Sequence, residues 1–187
     1  QDNTGVSYVM NPRVTETNVY DEASNRRRVT SGYRTIILPS GGSFTLPNKT
    51  TEYNADAATP YRSSYTDYEE SSAYLSRHLL GLPKLSRLYE GDPDAPPPAT
   101  ATLASKVEYL YDEGGEYLQS LSTAATQHDA AFGGSYRGNL TRVRRYDVNN
   151  GSYVENKTGY NTTGSAIFTR NGLDHQTSIS YTDSFSD

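Results

Sequence analysis

The chain has 187 residues, enough for one sizeable domain or two small ones, and a formal net charge of -5. That acidic balance, with a pI near 5.2, argues against nucleic acid or an anionic membrane as partner. The absence of cysteine excludes disulfides, thiol nucleophiles and thiolate metal sites, and fits a secreted or surface protein. Apolar residues make up 34% and mean hydropathy is -0.77, so a single deep core would be thin. Tyrosine is abundant, 17 against 4 Phe and no Trp. It can bury its ring while its hydroxyl stays in water or on a backbone partner, which suits broad sheets with one wet face.

In chain order, Val14 to Tyr20 is the first strand candidate, rich in β-branched residues and ending in Tyr20-Asp21. Glu22 to Asn25 reads as a turn and Arg27 to Thr30 resumes an extended run. Tyr33 to Leu38 and Ser43 to Leu46 predict short strands across Pro39-Ser40-Gly41-Gly42, where proline and glycines supply fixed and positive φ; Pro47 is expected to end the second. Residues 48–66, with Tyr53, Tyr61 and Tyr65, read as one irregular strand or two.

From Asp67 to Leu80 the period changes. Tyr68, Ser72, Leu75 and Leu79 fall at helical spacing, Thr66 with Glu69 reads as a capping box, and Gly81 and Pro83 stop the run, predicting a short helix near 67–80. Its apolar stripe is a packing face. Leu85 to Tyr89 returns to strand. The proline-rich loop from Gly91 to Thr102 then reads as a stiff insertion between two strands of one sheet. The basic clusters Arg26-Arg27-Arg28 and Arg142/Arg144/Arg145 read as solvated turns or strand faces.

Val107 to Tyr111 alternates as a strand and runs into Asp112-Glu113-Gly114-Gly115, with Tyr117 to Leu121 expected as its return. Thr123 to Gly134 is loop-like. Ser135 to Tyr146 is the next strand region, followed by Asp147 and the turn Asn149-Asn150-Gly151. Tyr160 to Tyr181 is a step of 21 residues containing Gly164, the short β-rich runs Ala166–Thr169 and Thr177–Tyr181, and the turn pair Asn171-Gly172. A hairpin that restarts at the same kind of tyrosine is a repeat unit.

Tyr-Asp pairs thus stand at strand ends (20/21, 111/112, 146/147), with degenerate versions at Tyr160-Asn161 and Tyr181-Thr182-Asp183. The tyrosine ring packs on the sheet while the acid accepts backbone N–H groups in the following turn, and glycine takes the positive φ that turn needs. The device is structural.

The strings Y-D-E-G-G at 111–115, R-G-N-L-T-R-V at 137–143 and Y-N-T-T-G-S at 160–165 resemble the YD-repeat of Rhs (rearrangement hot spot) proteins. The 21-residue return to Tyr181 matches too, and Y-L-S-R-H-L-L-G-L-P at 74–83 is similar to a stretch preceding the repeats in some large bacterial YD-repeat proteins. The match covers roughly the last 80 residues; the first 65 or so match poorly. The resemblance implies an all-β fold of antiparallel hairpin repeats. Added edge to edge, they form a strip that coils into a hollow shell, enclosing a toxin or forming a surface scaffold in Rhs, insecticidal-complex and teneurin relatives. The domain reading is one fragment of a longer repeat polypeptide: an irregular β segment with a short helix over 1–90, a proline-rich loop over 91–102 and YD-type β-hairpin repeats over 103–187. The family's autoproteolytic Asp-Pro-x-Gly context has no counterpart: Asp92-Pro93-Asp94 lacks the glycine.

Chemistry has little to build on. His78, His128 and His175 show no metal spacing, and Gly133-Gly134-Ser135-Tyr136-Arg137 departs from a nucleophile elbow at its last position. Asp67 with Glu69/Glu70, and Asp112/Glu113 with Glu116, read as solvation and turn capping rather than paired catalytic carboxylates. No twelve-residue acidic calcium loop is present. Asn-x-Ser/Thr triplets at Asn48, Asn139, Asn150, Asn156 and Asn161 read as turn and strand composition.

The expectation is therefore a non-enzymatic scaffold segment of a secreted or cell-surface protein, with no cofactor, no metal and no catalytic residue. Its residues of consequence are Tyr111, Asp112, Gly115, Gly138, Asn139, Tyr146, Asp147, Tyr160, Gly164, Gly172 and Tyr181. The partners expected are neighbouring repeats of the same polypeptide, with an encapsulated toxin domain or surface ligand beside them. No nucleic acid and no membrane span are expected. The alternative is a tyrosine-rich carbohydrate- or protein-binding β module of a surface fibre.

Overall fold

Runs of β-branched and aromatic residues separated by polar turns make strands that pair with their sequence neighbours. A computed structural model of the chain describes residues 12–93, 101–119 and 136–181. It is all-β: one antiparallel meander built from β1 (Glu16–Tyr20), β2 (Arg26–Ile37), β3 (Ser43–Tyr53), β4 (Pro60–Tyr68), β5 (Pro83–Glu90), β6 (Leu103–Tyr111), β8 (Leu140–Tyr146), β9 (Tyr153–Asn161), β10 (Ala166–Arg170) and β11 (Gln176–Ser178). Each of these strands pairs antiparallel with the next in that order. The short β7 (Leu118–Gln119) pairs parallel with the far end of β9. Among the described residues no helix is long and apolar enough to cross a membrane.

Strict alternation of direction gives the sheet two rims. On one rim lie the turns 21–25, 54–59, 147–152 and 171–175; on the other lie 38–42, the segment carrying the helix, the described ends 112–119 and 136–139 of the connection between β6 and β8, and 161–165. The turns at Asp21, Leu38, Asn161 and Asn171 share one hydrogen-bond pattern. The first residue's C=O accepts from the fourth residue's N–H, and its own N–H donates to the fifth residue's C=O. The fourth residue has positive φ in each: Ser24, Gly41, Gly164 and Asp174.

Several expected elements differ. Pro47 does not end its strand. β3 runs on to Tyr53, because a register shift between Gly32 and Tyr33 accommodates the residue that cannot donate to the ladder. The expected helix shrinks to α1 (Ser72–Leu75), with Ser71 at its N-cap. Thr66 lies inside β4, paired with Ser86, so there is no Thr66–Glu69 capping box. The hydroxyl-rich end of β4 gains more from the ladder than from a helical turn. The return expected at Tyr117–Leu121 is not antiparallel to β6: Tyr117 closes a 3₁₀ turn and β7 pairs with β9. The true return is β8, reached only after residues 112–139. Ser120 and Leu121 fall outside the described residues, as do His128, Ser135, most of the proline-rich loop and the Thr182-Asp183 end of the last repeat motif.

The core is thin, as composition requires. Among the described residues Ile36, Ala57, Leu75, Phe168 and the rings of Tyr65, Tyr74 and Tyr89 are its buried apolar members, while the most deeply buried side chains are the small polar Thr51, Ser63 and Thr141. Lys49 is opposite Tyr65, and Thr51 opposite Ser63, on one face of β3–β4. The start of the proline-rich loop folds over them. Asp92 accepts from Thr51 Oγ1 (3.2 Å), Ser63 Oγ (2.9 Å) and Lys49 Nζ (2.5 Å), and the Tyr65 hydroxyl donates to the Pro93 carbonyl at 2.6 Å. β5 and β6 pair on either side of this loop, so it is an excursion within one hairpin.

Candidate functional site

The recurrent feature of the sheet is a tyrosine that closes a hairpin at its open end. The hairpins are β1–β2, β3–β4, β5–β6, β8–β9 and β10–β11. In each, a tyrosine on the returning strand, or just past it, donates its hydroxyl to a backbone carbonyl near the start of the outgoing strand. Tyr33 donates to Val14 (2.8 Å), Tyr68 to Pro47 (2.5 Å), Tyr111 to Pro83 (2.8 Å), Tyr160 to Leu140 (3.0 Å) and Tyr181 to Ala166 (2.9 Å). All five lie in the half of the strand away from their own hairpin's turn, or just past it, with Tyr33 and Pro47 inside the β2–β3 ladder as register partners. A tyrosine suits this place because its rigid ring spans the strand spacing of about 4.8 Å and still puts an O–H on the neighbouring backbone. Each such bond contributes about 0.5–1.5 kcal/mol. Burial, then the charges of Tyr109 and Glu69, pushes the Tyr111 phenol up to about 12. Burial, then the Asp112 charge, raises that of Tyr160. Both phenols therefore remain neutral donors across the physiological range.

The structure brings together Tyr111, Tyr160 and Tyr181 of the expected residues and adds Tyr33 and Tyr68. These two escape a Tyr-Asp search because Arg34 and Glu69 follow them. The signal that finds them is different: a tyrosine placed 19 or 21 residues after the carbonyl it meets on the outgoing strand.

Tyr146 is not in this set. It sits on the opposite rim, with its hydroxyl donating to Glu108 Oε2 at 2.8 Å. The Tyr-Asp pairs thus divide. Asp21 and Asp147 cap turns on one rim, where Asp21 accepts from Asn25 N (2.8 Å) and Asp147 from Asn149 N (3.0 Å). Asp112 and Asn161 lie on the other. Identical dipeptides occupy inequivalent places because a strand of either direction can end in tyrosine and need a capped turn.

Asp112 has the larger task. Its carboxylate accepts the backbone N–H groups of Arg137 (2.8 Å), Gly138 (2.7 Å) and Asn139 (3.0 Å), and its own N–H donates to the Asn139 carbonyl. One side chain thereby ties together the two ends of the excursion between β6 and β8. Gly138 has φ +78, and a Cβ there would stand 3.4 Å from Leu82. Gly115, at φ +68, opens the 3₁₀ turn. Around the turn 161–165, Asn161 Oδ1 accepts from Thr163 N (3.0 Å), Thr163 Oγ1 (2.7 Å) and Ser165 N (3.0 Å), and Gly164 has φ +88. Gly172 is not a positive-φ glycine; Asp174 takes that conformation at φ 62. Gly172 is small for another reason: a Cβ there would lie 2.1 Å from Val154 Cγ1.

Between these tyrosines runs a charge ladder across β6, β8 and β9. Glu108, Arg144 and Glu155 are register partners, with Arg144 paired to both acids at 3.3 and 3.0 Å. Arg142 pairs with Glu113, and Lys157 with Glu155 and Asp174. Burial pushes the Glu155 and Glu113 carboxyls up. Hydrogen bonds from Arg144 and Arg142 respectively, with the surrounding positive charges, outweigh it and hold both below the usual carboxylate range. The ladder's cations and acids are mutually satisfied, leaving no poised acid–base pair in it. A shallow polar depression lined by Asp112, Glu113, Tyr117, Asn139, Thr141 and Tyr160 has room for about one water molecule. Among the described residues no group of three or more His, Asp or Glu side chains is placed to hold a metal ion.

In comparison with known proteins, no family model and no curated protein matches the chain.

Proposed function

We propose that this chain is a non-enzymatic scaffold segment of a large secreted or cell-surface YD-repeat protein, contributing wall to a shell of hairpins added edge to edge. The observation that carries the reading is the repetition of one closure: five successive hairpins, each fastened by a tyrosine hydroxyl on the carbonyl of its outgoing strand. Such a unit is self-similar, buries little on its own and gains stability from its neighbours, the economy of a repeat array. The thin core and the inward-satisfied charge ladder fit a wall better than a binding cleft. The excursions at 91–102 and 112–139 are then decorations on a bare unit of about the Tyr160-to-Tyr181 length.

The test is the parent reading frame. Further tyrosine-closed hairpins at about 21-residue steps, followed by a distinct core and an unrelated tail, are expected on this reading. A frame that stops soon after Asp187 would sink it and favour the surface-fibre binding module.

A further inference from the structure

We propose that the Asn171-Gly172 peptide, in the turn between β10 and β11, is a site of spontaneous covalent modification, where Asn171 converts to aspartate and isoaspartate in the folded protein.

The chain has two Asn-Gly pairs, Asn150-Gly151 and Asn171-Gly172. In such a pair the glycine nitrogen can attack the asparagine side-chain carbonyl, because the following residue carries no side chain to crowd the approach. At Asn171 the Gly172 N–Cγ bond forms, the glycine N–H proton passes to solvent base, and the Cγ–Nδ2 bond breaks to release ammonia. Water then opens the cyclic imide at either carbonyl. The product is aspartate or, with the backbone rerouted through Cγ, isoaspartate. Both Asn-Gly pairs lie in exposed turns, so exposure does not separate them. Hydrogen bonding does.

At the first pair the nucleophile and the leaving group are both held. Gly151 N–H donates to the Asp147 carbonyl at 2.8 Å, and Asn150 Nδ2 donates to the Asp147 carboxylate at 2.7 Å. The carboxylate's charge also opposes deprotonation of the nitrogen beside it. At the second pair, Gly172 N–H and Asn171 Nδ2 have no partner among the described residues, while Asn171 Oδ1 accepts from Leu173 N (3.0 Å) and His175 N (3.1 Å). Reaching the N–H two residues on lays the side-chain carbonyl across the intervening peptide, beside the Gly172 nitrogen. The same two N–H groups stabilise the negative charge that gathers on Oδ1 as the nitrogen adds, the task of an oxyanion hole. Asp174, the nearest carboxylate in sequence, is engaged by Lys157 Nζ at 3.3 Å.

Asn161 supplies an internal control. Its Oδ1 takes the N–H groups of Thr163 and Ser165, each at 3.0 Å, in the same turn pattern. Thr162 follows it, however, and a β-branched side chain there obstructs the attack. An aspartate product has a precedent in this fold: Asp21 holds the matching place in the turn 21–25 and accepts from Asn25 N at 2.8 Å. Isoaspartate has none, because its extra backbone carbon lengthens the turn.

The test uses the unaltered chain, so no folding defect enters. It is incubated at mildly alkaline pH in buffer and, in parallel, in urea, then digested with trypsin. Cleavage after Arg145, Lys157 and Arg170 puts Asn150, Asn161 and Asn171 on separate peptides. Their amide-to-acid mass gain and isoaspartate content are followed by mass spectrometry. In urea Asn150 and Asn171 are expected to react at similar rates, and Asn161 far more slowly. In buffer Asn171 is expected to react about tenfold or more faster than Asn150, from the hydrogen bonds that Gly151 and Asn150 must give up, with Asn161 unmodified. Equal rates at Asn150 and Asn171 in buffer, a faster Asn150, or an Asn171 that reacts only in urea would overturn the proposal.

Discussion

Gly159 offers the sharpest test of the packing, because backbone and side chain predict opposite signs there. It lies in the middle of β9, opposite Phe168 on β10, and its φ is outside the positive region. On backbone grounds alone an alanine would stabilise the strand by about 0.5–1 kcal/mol. Yet a Cβ would stand 2.0 Å from Phe168 Cε1 and 2.6 Å from Cδ1 and Cζ, against a carbon–carbon contact of about 3.5 Å. The ring must move by more than 1 Å, and it has little room: Phe168 is 4% exposed, with the Arg170 guanidinium 4.9 Å from its centroid. Overpacking of this kind costs about 1–3 kcal/mol, and expelling the ring instead forfeits about as much in burial. Gly159→Ala is therefore expected to lower stability by about 2 kcal/mol in urea unfolding followed by circular dichroism. Phe168→Ala is expected to lower it by about 3–5 kcal/mol. The double variant should be clearly more stable than the two losses combined, since the clash needs both partners. A neutral or stabilising Gly159→Ala, or strict additivity in the cycle, would refute the contact.

Other perturbations follow the same logic. Tyr160→Phe removes one hydroxyl-to-carbonyl closure and should cost about 0.5–1.5 kcal/mol in the same unfolding assay, while Tyr61→Phe, on a 58% exposed ring, should cost nothing measurable. Gly164→Val forces a β-branched residue to φ +88 and should destabilise by about 1–2 kcal/mol; unchanged unfolding would remove the turn assignment. Asp112→Ala strands three N–H groups between β6 and β8, with an expected loss of about 2–3 kcal/mol and faster amide exchange at Arg137, Gly138 and Asn139. Glu113 and Glu155 are held below their ordinary values in the fold, so their stabilisation is full above about pH 4.3 and disappears as pH falls through the lower folded values. Urea midpoints should thus be flat from pH 7 to about 5 and drop below that, and Glu155→Gln should lessen the drop. A loss centred between pH 7 and 6 would mean other groups control acid stability.

Much of the sheet was legible because strand and turn chemistry is local. Pro39-Ser40-Gly41-Gly42 announces a hairpin and makes one, and the β-branched run before Tyr20 makes β1. What escaped depends on partners far away in the chain. Ala57 takes φ 56 in the turn after Asn54, where no glycine or proline advertises it. The capped look of Thr66-x-x-Glu69 lost to a sheet partner at Ser86 that the local window does not contain. Gly172 reads as a turn glycine beside Asn171, but its smallness answers Val154 on the facing strand. Tyr-Asp marks a strand end without saying which rim, so Tyr146 looks like Tyr111 until register places them at opposite ends. Tyr33 and Tyr68 carry no local mark. Only the positions of Val14 and Pro47 across the hairpin identify their role.

The most direct test of the central claim is the structure, by electron cryo-microscopy, of the longer polypeptide that carries this stretch. The scaffold account predicts a hollow shell in which β1 and β11 are both paired with flanking hairpins and the five tyrosine closures all lie toward the same rim of the wall. A compact domain whose β1 and β11 edges face solvent, enclosing no cavity, would contradict it.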